Sequence, residues 1–158
     1  MRTRYLADTN VVVDLLRRPE LLDPTRFTGA EEAIAVSSAT VMELEYGVAL
    51  SSDPARNRSE VDAVLSRLRV LPLDQAAAEH AGRIRADLKR LGAPIGPFDS
   101  LLAGHARSLG LTLITHNTGE FSRVPGLLTE DWHADPGEPV PSAQHASDAD
   151  PAENPDRE

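Results

Sequence analysis

The sequence contains no cysteine. That excludes a disulfide framework and any thiolate metal site, and it suits a reducing cytosol. It also lacks an apolar run long enough to cross a membrane. Arg2 and Arg4 precede apolar residues in a way that imitates a signal peptide, but Asp8 and Asp14 interrupt the run, so neither a signal peptide nor membrane association is expected. A basic excess is missing too. The 158 residues carry a formal net charge of −9, and Lys89 is the only lysine, so this is not a generic basic nucleic-acid binder. The charge is uneven. Residues 133–158 hold seven acids and one base, giving −6, while the other 132 residues, with 18 acids and 15 bases, give −3. A mildly acidic body of this kind can still act on nucleic acid if it does so through bound cations.

What is present is an alternation of short apolar runs and amphipathic stretches, in a chain long enough for one domain and too short for two. The stretch YLADTNVVVDLL, residues 5–16, reads as a short buried strand, a tight turn and the start of a helix over 10–18. Residues 19–33 read as loop with a short helix over 29–33. Further strands are expected at 34–37, 70–73 and 111–115, with 127–128 adding an edge strand. Helices are expected at 40–50, 55–69, 75–91 and 98–109, with one turn near 119–122. This pattern predicts an α/β fold: a three-layer α/β/α sandwich with a mostly parallel central sheet. Trp132 is expected to close the core. The domain is therefore 1–132, followed by an acidic, Pro-rich disordered tail over 133–158 with five prolines and almost no large apolar residue.

Several acids fall where strands end or helices begin, and each has a plain structural explanation. Asp8 stops the first strand and can cap the following helix. Glu43, in Thr40-Val41-Met42-Glu43, fits a capping box. Gly47, one turn further on, weakens its helix by about 1 kcal/mol relative to alanine, which suggests a close approach there. Glu45 points elsewhere. Asp99, in the first helical turn after Pro97, complements the helix dipole. Ala103, Gly104 and Ala106 make that helix narrow enough to press on a sheet. Thr115 and Asn117 follow the fourth strand, with Glu120 close behind, and suit a turn. The joint arrangement is harder to explain this way. In a right-handed parallel sheet these residues share one edge, where carboxylates repel unless protonated or neutralised by a cation. Oxygen donors without His or Cys select Mg²⁺ or Mn²⁺. Among the histidines, His80 and His105 lie within helices, His133 and His145 fall in the tail, and only His116 is a candidate for substrate contact.

The motifs YLADTNVVVDLL, ATVMELEYG, IGPFDSLLAGHA and LTLITHNTGEF, in this order and spacing, resemble those of PIN-domain ribonucleases, and more narrowly VapC-type toxins of type II toxin–antitoxin pairs. The resemblance covers residues 4–132. It implies a compact sandwich in which Asp8, Glu43 and Asp99 hold Mg²⁺ or Mn²⁺ and Thr115 orients the site. Asn117 stands where many relatives have a fourth acid, leaving one or two ions open. It further implies hydrolysis of a structured RNA such as tRNA or rRNA, a cognate VapB-type antitoxin that inserts a basic side chain among the acids, and a homodimer. The first helices and the 55–69 helix are candidate surfaces for both partners. Arg17, Arg18, Arg83, Arg85, Lys89 and Arg90 are candidates to hold an RNA backbone. An aspartate-nucleophile phosphatase is disfavoured because Asn10 stands where its second acid belongs. The alternative is an inert PIN-fold module that acts through its partner.

Overall fold

A computed structural model describes residues 2–135. The tail expected over 133–158 lies outside the described residues from 136 onward. Five strands, β1 (Tyr5–Ala7), β2 (Ile34–Ser37), β3 (Arg69–Leu71), β4 (Thr112–Ile114) and β5 (Leu128–Glu130), form one sheet in the order β3-β2-β1-β4-β5. Every neighbouring pair is parallel. Parallel sheets need both faces covered. Accordingly all four residues of β2 are buried, as are Leu6 and Ala7 of β1 and Leu113 and Ile114 of β4. Arg69 and Val70 mark β3 as an exposed edge.

Seven helices supply the two outer layers among the described residues: α1 (Thr9–Arg17), α2 (Pro24–Phe27), α3 (Ser38–Ala49), α4 (Pro54–Leu65), α5 (Gln75–Arg90), α6 (Pro97–Leu109) and α7 (Thr118–Phe121). On one face Leu6, Ile84, Leu88, Leu113 and Phe121 share a core with Ala103 and Ala106. On the other, Val11, Val12, Val36, Val61 and Trp132 do the same. Trp132 meets Tyr5 and Phe27 edge-on at centroid distances of 4.8 and 5.0 Å, so it closes the second core as expected.

The chain lays down β1, β2 and β3 outward on one side, then returns across the sheet to β4 and β5. Leu6 therefore pairs with Ala35 on one side and Leu113 on the other. The reversal falls between β1 and β4. Loops leaving a parallel sheet on either side of such a reversal part from each other and open a crevice at the carboxyl ends of the strands.

Local departures from the sequence reading have identifiable causes. Helix α3 starts at Ser38 rather than Thr40, because the Ser37 hydroxyl accepts from Ala39 N–H at 3.1 Å and caps it earlier. Helix α4 ends at Leu65, short of 69, because Arg69 belongs to β3. The 19–33 loop contains α2, whose cap Asp23 accepts from Thr25 N–H. The small residues of α6 divide between two neighbours. Ala103 and Ala106 face the sheet core, whereas a Cβ on Gly104 would lie 2.5 Å from the backbone N of Ala81 in α5. His133, read as tail, is packed: it forms an antiparallel bridge with Leu22, and Ala134 N–H donates to Leu21 at 2.8 Å.

Candidate active site

Asp8 leaves β1 at the reversal, with its N–H still donating to Ile114 O of β4 at 2.9 Å. It occupies the N-cap position of α1 but makes no side-chain capping bond. Its carboxylate instead accepts from the buried Thr115 hydroxyl at 2.9 Å. Burial pushes the carboxyl of Asp8 up, and the Thr115 hydroxyl partly opposes that. The same hydroxyl accepts from Asn117 N–H at 3.0 Å, so it is locked between an acid and a backbone turn. Thr115→Val keeps the shape and removes both bonds. It is expected to destabilise the protein by about 1–3 kcal/mol in urea unfolding and to drive the Asp8 carboxyl further up in a carboxyl-carbon NMR titration. A downward move would show that Thr115 does not support the ionised acid.

Asp99 is third in α6, after the cap Gly96 and Pro97. Its Oδ2 curls back to 3.7 Å from where a Cβ on Gly96 would stand. Its carboxyl is pushed up to about 6, first by burial and then by the negative charges of Asp8, Glu120 and Glu43. Three acids from three other segments thus act on Asp99 at the carboxyl edge of the sheet. An acid raised in the folded state binds more protons there than when unfolded. Stability is then fullest below the ordinary value of 3.8 and is lost as pH rises through about 6. Asp99→Asn is therefore expected to raise the Tm of metal-free protein near neutral pH. Solvent screening of a half-exposed group limits the gain to about 1 kcal/mol, or roughly 3 °C. A variant less stable than the parent in a pH-resolved thermal scan would contradict the repulsion.

Glu43 lies in the second turn of α3, because the helix starts early. That removes it from the capping-box position and leaves it exposed beside Thr9 and Asn10 of α1. Gly47 does not mark a close approach: a Cβ there meets nothing within 4 Å, and the residue lines a groove with Leu16, Arg17 and Asn57. Glu45 is engaged elsewhere, in a two-pronged ion pair with Arg58 of α4. Asn117 is exposed and donates its side-chain amide to Glu120 at 3.0 Å.

Two buried contacts invisible in any local motif hold these elements in place. Thr9 and Thr40 share a hydroxyl hydrogen bond of 3.1 Å between α1 and α3. The Ser37 hydroxyl lies 2.9 Å from His105 Nδ1, joining the start of α3 to α6. Burial holds the His105 imidazole below its ordinary value, against the pull of Asp74, which suits a neutral ring accepting from serine. His80 likewise accepts from Arg107 at 3.0 Å, so the Nδ1 of each helix histidine is engaged within the fold.

Among the described residues, no Arg or Lys forms an ion pair with Asp8, Glu43, Asp99 or Glu120. Acids gathered around a half-buried Asp99 whose carboxyl they push up, all offering oxygen and without a counter-charge among the described residues, fit a hard divalent cation. Of the basic residues expected near a substrate, Arg18, Arg83 and Arg90 are paired within their own helices or to Asp14, while Arg17 lines the groove beside Glu43.

The sequence profile of the PIN domain matches residues 5–127. The tRNA(fMet)-specific endonuclease VapC of Shigella flexneri is 46% identical over 129 residues, covering 82% of this chain and 98% of that protein. Ribonuclease VapC2 of Haemophilus influenzae is 42% identical over the same shares of both chains. Among solved structures, DNA-bound VapBC from Salmonella typhimurium superposes with a TM-score of 0.78 at 42% identity, covering 82% of this chain and 98% of that one. VapBC2 from Rickettsia felis, bound to a promoter DNA fragment, gives 0.76 at 32% identity, covering 82% and 99%. With the profile spanning β1 to β4 and these relatives matched over nearly their full length, the chain belongs to the PIN domain family.

Proposed function

We propose that this protein is a VapC-type endoribonuclease toxin that hydrolyses phosphodiesters of a structured RNA such as tRNA or rRNA with Mg²⁺ or Mn²⁺. The observation that carries the reading is the convergence of acids on Asp99 with no Arg or Lys ion-paired to them among the described residues. Asp8 and Asp99 would hold the ion directly, with Glu43 as a further ligand or a positioner of water. A bound divalent cation supplies charge neutralisation and an activated water nucleophile. Thr115 fixes the rotamer of Asp8 and the turn that carries Asn117. Asn117, tied to Glu120, offers an amide at the lip of the site where relatives often have an acid. Arg17 lies on the open groove wall, placed to meet a phosphate backbone.

The partner reading follows the same surface. The groove between α1, α3 and α4 is about 180 Å³ and includes Val13, Leu16 and Leu44 together with Glu43 and Glu60. An antitoxin segment with apolar anchors and one basic side chain directed at the acids suits it. Met42, Tyr46 and Leu50 lie exposed along α3 and suit antitoxin contact or a homodimer. No helix among the described residues is long and apolar enough to cross a membrane, and a cytoplasmic site of action is proposed.

The test is cleavage of total RNA by purified protein with and without Mg²⁺ or Mn²⁺, with both ends mapped. Water as nucleophile leaves a 5′-phosphate and a 3′-hydroxyl. Cleavage that survives chelation, or that leaves only 2′,3′-cyclic phosphates, would reject the mechanism. Sequencing the 5′-phosphate ends identifies the RNA and the bond cut.

A further inference from the structure

A second cluster of ligand-type residues lies outside the acidic site. His116 follows Thr115 at the end of β4, Asp131 follows β5, and His133 sits on the segment that pairs with Leu22. One donor atom from each of the three lies within 4.8 Å of the others. The two imidazole rings stand 4.3 Å apart, tilted by 46°. His116 Nδ1 is 2.9 Å from one oxygen of Asp131, and His133 Nδ1 is 2.8 Å from the other. The remaining nitrogen of His133, Nε2, is 2.9 Å from Oδ2 of the buried Asp14. Asp14 is held in turn by Arg18 at 2.8 Å.

Counting donors makes this arrangement informative. A carboxylate only accepts, and a neutral imidazole has one N–H. His133 faces a carboxylate at each nitrogen, so satisfying both takes either a second ring proton or a metal ion in its place. A cation between His133 Nδ1, His116 Nδ1 and Asp131 removes the conflict, because Nε2–H then serves Asp14 alone. That is the outer carboxylate by which metal-binding histidines are usually oriented. Burial pushes the Asp131 carboxyl up, but hydrogen bonds from the His133 backbone and from both rings outweigh it, holding the group below its ordinary range and ionised.

We propose that His116, Asp131 and His133 form a binding site for a transition-metal ion of the zinc class, separate from the acidic site. Two imidazoles and one carboxylate select Zn²⁺ or its neighbours over Mg²⁺, and three protein ligands leave one position open. The ion joins the turn after β4 to the segment that leaves β5, carries Trp132 and pairs with Leu22. Since His116 adjoins Thr115, loading the site stiffens the turn that holds Asp8. The proposal does not depend on the nuclease reading.

The test uses the full chain in excess Mg²⁺, so that oxygen-only sites are filled. Zn²⁺ is titrated by calorimetry, and the histidine rings are followed by long-range ¹⁵N NMR. One equivalent is expected to bind with micromolar affinity or better, shifting the His116 and His133 rings and raising Tm. His116→Ala changes an exposed side chain and should leave the fold intact, yet it is expected to weaken Zn²⁺ binding at least about tenfold. Asp8→Asn should bind Zn²⁺ like the parent. The proposal is overturned by absence of binding, by equal affinity in His116→Ala, by loss of binding in Asp8→Asn, or by shifts at His80, His105 or His145 in place of His116 and His133.

Discussion

Asp8→Asn is expected to lower the rate of RNA cleavage by about 10³-fold while leaving the protein folded, comparable to removing a preorganised electrostatic group from an active site. Asparagine keeps the shape of the side chain, and its amide oxygen can still accept from the Thr115 hydroxyl. The buried position disfavours a charge, so the substitution relieves strain in the metal-free protein and should not lower Tm. What it removes is one negative charge, and under the proposed reading one ligand, from a group of acids that no basic side chain among the described residues pairs with. The half-saturating Mg²⁺ concentration should rise with the loss of rate. Glu45→Gln is the matched control: it too removes an acid, but one on α3 already paired with Arg58 at the surface, where such pairs contribute less than about 1 kcal/mol. Its cleavage rate should match the parent. If Asp8 and Asp99 hold one ion, Asp8→Asn combined with Asp99→Asn should cost little more than either alone, because groups acting as a unit are non-additive. Multiplying losses would mean that the two acids act independently, and the single-cation reading would fail.

The parts of this architecture legible in the sequence are those set by local pattern. Apolar runs of three or four residues, each followed by a helix, require a parallel sheet, and an acid ending such a run must sit at its carboxyl edge. Asp8 was placed that way, and Asp99 by its position in the first turn after Pro97 of a helix narrow enough to press on the sheet. Other features needed tertiary information. Ser37, Ser38 and Thr40 are all competent helix caps, and nothing local chooses among them. The choice of Ser37, whose hydroxyl also reaches His105 from another helix, takes Glu43 out of the capping box. The packing role assigned to Gly47 belongs instead to Gly104, because which glycine meets another backbone depends on how helices pair. His133 was hidden by composition: a change to Pro, Gly and acids begins at that point, while its partners, Leu22 and Asp14, lie more than a hundred positions earlier.

Gly104→Ala is expected to produce the largest loss of stability of any single methyl addition among the glycines described here. The added Cβ would lie 2.5 Å from Ala81 N, 2.7 Å from Ala77 O and 2.8 Å from Ala81 Cα. All three are backbone atoms of α5, so no rotamer change relieves the clash, and the two helices must separate. Two effects of opposite sign compete. Alanine is the better helix former by about 1 kcal/mol. Overpacking against immovable atoms costs about 3 kcal/mol or more, the upper end of its usual range. The clash therefore wins, and Tm should fall by roughly 5–10 °C. Gly82→Ala provides the opposing case on α5 itself: nothing stands within 4 Å of its Cβ, so only the propensity gain remains and Tm should rise slightly. The effect should reach the active site, because α6 carries Asp99 in its first turn and His105 on its buried face. A helix forced away from α5 displaces both, so cleavage by Gly104→Ala should fall even well below its melting temperature, while Gly82→Ala keeps the parental rate. Equal thermal stability of the two variants would mean that α5 and α6 pack less closely than described.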